Sequence, residues 1–152
     1  MKVGYPLLVC AVCCYTPFVM AADISKKQSE AFIENFYRAI EQRDEKKLFA
    51  MLTPEAQIKL RLDKMQQTFS LSRSDFMQQL KATWRFSQHQ RFNLKQFILT
   101  ENAGQQAKVS YELIDQKRLL NEELTYHQQV QVTLQQHDEQ LQITHLMIQS
   151  NM

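Results

Sequence analysis

The residue types best suited to chemistry lie in the C-terminal half of the sequence. His145 alternates with Leu141, Ile143 and Met147, which places it on the strand face expected to pack against helices. An imidazole in an apolar pocket can act as a general base or bind a polar group of a ligand. The alternative interpretation is a structural histidine, either hydrogen-bonded to a neighbour in the core or located at a sheet end near solvent.

Asp115 is the second candidate for acid–base chemistry. It follows Tyr111 and Leu113 on one alternating face, so it is a suitable acidic partner for His145. The alternative is a strand-end charge in water. No catalytic motif accompanies either residue, because the sequence contains neither a GxSxG nor an HExxH pattern. The sequence therefore predicts no catalytic residue beyond these two candidates.

Aromatic residues predict a ligand pocket. Tyr111 and Tyr126 lie on apolar strand faces, whereas Tyr37 and Trp84 belong to helices. Each offers a ring together with a polar tip, the combination that small-molecule pockets use. Together with His145, these four side chains are the predicted ligand-binding residues. The alternative is that they fill an ordinary core.

Composition excludes several other chemistries. The three cysteines, Cys10, Cys13 and Cys14, all fall within residues 1–22, so the remainder of the chain lacks thiols for disulfides, zinc ligation or nucleophilic attack. Gly104 is the only glycine after residue 22, and a phosphate-binding glycine loop needs several. The four histidines are not spaced like metal ligands. We therefore expect neither a metal nor a cofactor.

The charge distribution is nearly balanced. The formal net charge is +2, which gives no general attraction to nucleic acids. Lys81, Arg85 and His89 recur every four residues along the helix expected to start near Ser72, with Arg91 just beyond, and form a candidate basic stripe. Such a stripe would suit an anionic lipid or an acidic partner. An ordinary solvated helix face is the alternative.

Residues 1–22 have the pattern of a secretory signal peptide. Lys2 provides the basic start, an apolar stretch follows, and Val19-Met20-Ala21-Ala22 provides a small-residue site for cleavage after Ala21 or Ala22. An uncleaved membrane anchor is the alternative, although the apolar run is shorter than the roughly 20 residues of a spanning helix. We expect an exported protein, periplasmic or secreted, with a single domain over residues 23–152.

Helical patterns dominate the first half of that domain. A helix is predicted from Ser25 to Arg43, with Ser25 as its N-cap, and a short one follows Asp44. Thr53-Pro54-Glu55 resembles a helix start, so a third helix is expected there, although Ile58, Leu60 and Leu62 also alternate as in a strand. A further helix is predicted to open at Ser72 or Ser74.

From Phe92 onward the hydrophobic period changes to two. Four strands are expected, separated by turns at Asn102-Ala103-Gly104 and at His137-Asp138. Phe92, Leu94 and Ile98 are predicted to share one face of the first strand. Three to four helices that cover one face of a four-stranded antiparallel sheet make an α+β fold.

The first two helices resemble the opening of the nuclear transport factor 2-like superfamily, which includes ketosteroid isomerase-like and polyketide cyclase-like proteins. The resemblance is carried by Phe36-Tyr37-x-Ala39-Ile40, Asp44, Leu48, Leu52 and Pro54-Glu55-Ala56. It implies a curved sheet wrapped around the helices as a cone with an apolar pocket, and frequent dimerisation through the open sheet face. Functions in this superfamily range from isomerases and cyclases to carriers and assembly parts of secretion machines, so the fold alone does not assign one.

Two functions follow as expectations. The first is a non-catalytic exported domain that binds a partner protein, such as an envelope or secretion-system protein, or a small apolar ligand. The Gln- and Thr-rich outer strand face supports this interpretation, because it is suited to pairing two subunits. The second is an isomerase, lyase or cyclase that acts on an apolar molecule with His145 as general base and Tyr111 or Tyr126 polarising an oxygen.

Overall fold

The helix α1, Lys26–Glu41, begins the part of the chain that this computed structural model describes, residues 23–151. Ser25 caps it by accepting a hydrogen bond from the backbone N–H of Gln28 at 3.0 Å, as the sequence predicts. Its apolar stripe, which includes Ile33, Phe36 and Ile40, is buried. The predicted signal segment, residues 1–22, lies outside the described residues.

Two further helices also agree with the sequence. Helix α2, Glu45–Met51, is capped by Asp44. Helix α3, Arg73–Phe86, starts with a reciprocal capping box, in which Ser72 and Asp75 each bond the other's backbone N–H. All three helices lie on one side of a sheet.

The third helix predicted between Thr53 and Phe69 is wrong. This segment forms strand β1, Leu52–Leu62, and strand β2, Gln67–Leu71, which pair as an antiparallel hairpin. The alternation of Ile58 with its neighbours was therefore the correct signal. Pro54 is tolerated because it lies where the ladder between β1 and the last strand shifts register, so its missing N–H removes no ladder bond.

The sheet has six strands rather than four and is mixed rather than antiparallel. The C-terminal strands are β3, Ser87–Ala103; β4, Gln106–Leu119; β5, Glu122–His137; and β6, Gln140–Ser150. Their order in the sheet is β2-β1-β6-β5-β4-β3. Strand β1 pairs with β6 in parallel, and every other neighbouring pair is antiparallel.

Two bulges change which side chains point inward. In β3 an extra residue near Gln96, whose φ is 53°, turns Phe97 inward and leaves Ile98 54% exposed. The prediction that Ile98 shares a face with Phe92 and Leu94 is therefore wrong. In β6, Ile143 and His145 pair with consecutive residues of β5, so Thr144 between them is the extra residue.

The core lies between the inner sheet face and the helices. The alternating residues of β4 and β5 are buried as the sequence predicts, among them Val109, Tyr111, Val130, Val132 and Leu134. The central strands therefore provide the buried apolar face against which the helices pack. In the described part of the chain, none of the helices is both long and apolar enough to cross a membrane.

Candidate functional site

A cavity of about 460 Å³ opens between the inner sheet face, α1 and α3. Its walls are mostly apolar. Helix α1 contributes Phe36 and Ile40, one turn apart, and helix α3 contributes Phe76 and Leu80 in the same spacing. The volume falls within the range of small-molecule sites, roughly 300–1,000 Å³.

The β1–β2 hairpin forms one side of this cavity. Phe69 and Leu71 from β2 line it together with Leu60 from β1. Phe69 is also 43% exposed, so its ring lies between the cavity and solvent. Because β2 is a short edge strand bonded only to β1, this side of the cavity has the least backbone support.

A buried ion pair provides the polar end of the cavity. Asp115 and Lys117 are two residues apart on β4, so both side chains point to the inner face. The Nζ of Lys117 lies 3.1 Å from Oδ2 of Asp115, and Gln90 donates through Nε2 to Oδ1 at 3.1 Å. The side chains of Asp115 and Lys117 are 6% and 14% exposed. Asp115 therefore does not lie at a strand end in water, the alternative that the sequence left open.

Tyr37 and Tyr111 form a second polar pair. Their hydroxyls are 2.7 Å apart, both residues are buried, and Tyr37 lines the cavity. Burial raises the pKa of both phenols above the usual value, and the nearby Asp115 charge raises the pKa of Tyr37 further. Both hydroxyls therefore stay protonated. One of the two hydroxyl protons forms the hydrogen bond between Tyr37 and Tyr111. When Tyr111 is the donor of that bond, the hydroxyl of Tyr37 is able to donate its own proton to a group in the cavity.

The remaining aromatic candidates lie beside the cavity rather than in its wall. Trp84 is buried in the core, and its indole N–H has no hydrogen-bond partner among the described residues. Tyr126 lines a shallow groove that shares Thr83, Lys117 and Gln128 with the cavity. The Nζ of Lys117 lies 5.1 Å from the centroid of the Tyr126 ring. The ring thus contacts the ion pair from outside the cavity.

His145 lies on the opposite face of the sheet. It is exposed, and its Nδ1 is 3.0 Å from the hydroxyl of Thr144. The bulge at Thr144 shifts the alternation by one residue, so Leu146 points inward while His145 and Met147 point outward. The prediction that His145 faces the helices is therefore wrong, and a general base at this position has no access to the cavity.

The basic stripe is also divided. Helix α3 ends at Phe86, so His89 belongs to β3 and not to the helix. Lys81 forms an ion pair with Glu45 at 2.7 Å. Hence Lys81, Arg85 and His89 do not share one helix face.

Two polar cavity residues, Lys117 and Gln90, were not identified from the sequence. Lys117 continues the inward alternation of Tyr111, Leu113 and Asp115 by one step, which was a readable signal. Gln90 follows His89, which has a positive φ, and lies in a bulge of β3. The local pattern could not place its side chain, because the bulge decides where it points.

Within residues 23–151 no group of three or more acidic or histidine side chains is arranged to hold a metal.

Solved structures of similar architecture define the fold. The β subunit of benzoate 1,2-dioxygenase from Burkholderia mallei ATCC 23344 superimposes with a TM-score of 0.72 at 10% identity, covering 84% of this chain and 91% of that one. A nuclear transport factor 2-like protein from Cytophaga hutchinsonii ATCC 33406 gives 0.68 at 9% identity, with 83% and 98% covered. A ketosteroid isomerase-like protein from Erwinia carotovora atroseptica SCRI1043 gives 0.61 at 10% identity, with 80% and 92% covered.

The chain therefore has the nuclear transport factor 2-like, cystatin-like fold, as the helical motif predicted. No family model and no curated protein sequence matches it. Since proteins of this fold include oxygenase subunits and isomerase-like proteins, the fold does not decide between binding and catalysis.

Proposed function

We propose that residues 23–151 form an exported, non-catalytic domain that binds a small apolar ligand in the cavity. The observation that carries this proposal is a 460 Å³ space with apolar walls and one polar end, the composition typical of ligand pockets. Phe36, Phe76 and Leu80 support it, because these three helix side chains line the space between the helices and the inner sheet face.

Export is supported by the sequence pattern of residues 1–22. Mass spectrometry of the protein from its native host measures the mature N-terminus. We expect a chain that starts at Ala22 or Asp23. A chain that still starts at Met1 would contradict cleavage and favour a retained anchor.

Native mass spectrometry of purified protein tests the ligand. A variant that fills the cavity, Leu80→Trp, is expected to lose any bound mass. Met147→Trp is the matched control, since it places the same bulk on an outward-facing, 43% exposed position. Bound mass that persists in Leu80→Trp, or protein that is empty in every preparation, would contradict the proposal.

A second candidate is an isomerase, lyase or cyclase that uses Asp115 instead of His145 as its acid–base group. It is favoured by the Asp115 carboxylate, which is buried and lines the cavity near Tyr37. Binding is preferred because Gln90 and Lys117 already occupy one site on each carboxylate oxygen. The test measures incorporation of deuterium from heavy water into a bound ketone. This candidate predicts incorporation by the wild type and none by Asp115→Asn. No incorporation above the protein-free rate would exclude this candidate.

A homodimer through the outer sheet face is a further proposal, with an envelope or secretion-system protein as the alternative partner. Ile98 and Met147 are exposed on that face; Met147 pairs with Gln131 of β5, and Ile98 pairs with Ser110 of β4. Light scattering after size exclusion is expected to report a dimer that Met147→Asp dissociates. A strict monomer at high concentration would contradict the homodimer, and a pull-down from the native host would then identify another partner.

A further inference from the structure

The charges inside the cavity constrain the polar group that a ligand carries. Among the described residues that line the cavity, Asp115 and Lys117 are the charged ones, and they carry one charge of each sign. The other polar lining residues, such as Gln90 and Thr83, are neutral. The cavity therefore has no net charge. A charged ligand would leave one uncompensated charge among apolar walls, which is costly.

The hydrogen-bonding capacity left in the pair points to the same ligand. The ammonium of Lys117 has three N–H donors; one is used by Asp115, and one side of the group faces the Tyr126 ring. The carboxylate of Asp115 has about four lone-pair positions, of which Gln90 and Lys117 use two. With respect to the described residues, Nζ of Lys117 therefore keeps an unused donor and Oδ2 of Asp115 an unused acceptor; these two atoms are 3.1 Å apart, and both residues line the cavity.

A hydroxyl group matches both. It can donate its proton to Asp115 and accept a proton from Lys117 at the same time. A ligand carboxylate only accepts and would be repelled by Asp115. A ligand ammonium only donates and would be repelled by Lys117. The neutral pair thus disfavours ligands of either sign.

We propose that the cavity selects an uncharged, apolar alcohol whose hydroxyl bridges Asp115 and Lys117. This inference rests on the proposed function, since it names the class of ligand that the same cavity takes. The apolar body of the ligand lies against Phe36, Phe76 and Leu80, and its hydroxyl lies at the β4 end of the cavity.

Four probes with one compact skeleton test this selection by isothermal titration calorimetry: adamantane, 1-adamantanol, 1-adamantanecarboxylate and 1-adamantylammonium. We expect 1-adamantanol to have the lowest Kd, by about tenfold or more over the other three, because a hydrogen bond to a charged group has a net effect of that order. Equal binding of the alcohol and the hydrocarbon, or tighter binding of either ion, would overturn the inference while leaving the binding function intact. Failure of all four probes to bind would overturn both.

Two variants give a readout that a merely structural role would not move. Asp115→Asn leaves the cavity with the Lys117 charge, so the carboxylate probe is expected to gain at least about tenfold over the wild type. Lys117→Met leaves the Asp115 charge, so the ammonium probe is expected to gain instead. Glu101→Gln, which removes an exposed ion pair with Lys108, is the control and should change neither ratio. If the preferred charge does not reverse between the two variants, the assignment is wrong.

Discussion

The buried hydroxyl pair of Tyr37 and Tyr111 allows a quantitative test of the core. Removing one hydroxyl leaves the other without its partner, and an unsatisfied buried polar group costs about 1–3 kcal/mol. The two cases differ. Tyr111→Phe leaves the hydroxyl of Tyr37, which lines the cavity and can turn toward water there, so we expect a loss of about 1 kcal/mol. Tyr37→Phe leaves Tyr111, which is 2% exposed and does not line the cavity, so we expect about 2–3 kcal/mol.

The double variant Tyr37→Phe/Tyr111→Phe is expected to lie within about 1 kcal/mol of the wild type, because both polar groups are then removed together. The coupling energy of the double-mutant cycle should therefore be about 2–4 kcal/mol. Urea unfolding measures all four free energies, followed by the fluorescence of Trp84, the only tryptophan in the chain. Additive losses, or a larger loss in Tyr111→Phe than in Tyr37→Phe, would refute the reasoning.

The same pair predicts a loss of stability at alkaline pH. In the unfolded chain both phenols ionise near pH 10. In the folded chain burial raises the pKa of both, so they keep their protons. Above pH 10 the unfolded state binds fewer protons than the folded state, and the free energy of unfolding falls with pH. The stability is fully present below pH 10. At pH 11 the wild type should lose about 1.4 kcal/mol for each of the two tyrosines relative to the double variant. Parallel pH profiles of the two proteins would contradict the burial of this pair.

Three further substitutions test separate parts of the structure. His145→Ala should change the free energy of unfolding by less than about 0.5 kcal/mol and leave ligand binding unchanged, because the side chain lies exposed on the outer face; a large effect on binding would return it to the site. Ser72→Ala should lower the free energy of unfolding by about 1 kcal/mol, because it removes the capping box of α3. Ser74→Ala, two residues after the cap, should be nearly neutral in the same urea titration. Leu134→Ala should lower the free energy of unfolding by about 2–5 kcal/mol, because Leu134 is fully buried. Leu120→Ala should change it very little, because Leu120 is 73% exposed. Similar thermal midpoints for the two variants would place Leu134 outside the core.

Local patterns were sufficient where the signal and the structure both come from neighbouring residues. The caps at Ser25, Asp44 and Ser72 begin helices because each side chain satisfies a backbone N–H within the same turn. The inner faces of β4 and β5 followed from strict alternation, since a strand with one buried face can show no other period. These elements required no knowledge of their partners.

Non-local pairing decided the elements that were predicted wrongly. Ile58 belongs to a segment with both helical and strand periodicity, and its parallel ladder with β6, about 90 residues away, selects the strand. The bulges near Gln96 and at Thr144 arise where neighbouring strands differ by one residue, and each reverses the faces beyond it. Because of the bulge at Thr144, His145 points away from the cavity.

The sequence by itself therefore determined the α+β class, the starts of α1, α2 and α3, and an inward strand face that includes Asp115. Only the tertiary structure decided that Asp115 meets Lys117 and Gln90 at the end of an open cavity, while His145 lies outside it. The physical reason is that a helix cap or a strand period is stabilised by contacts within a few residues. The lining of a cavity depends instead on the register between strands that are distant in the chain, and one extra residue in a strand is enough to change it.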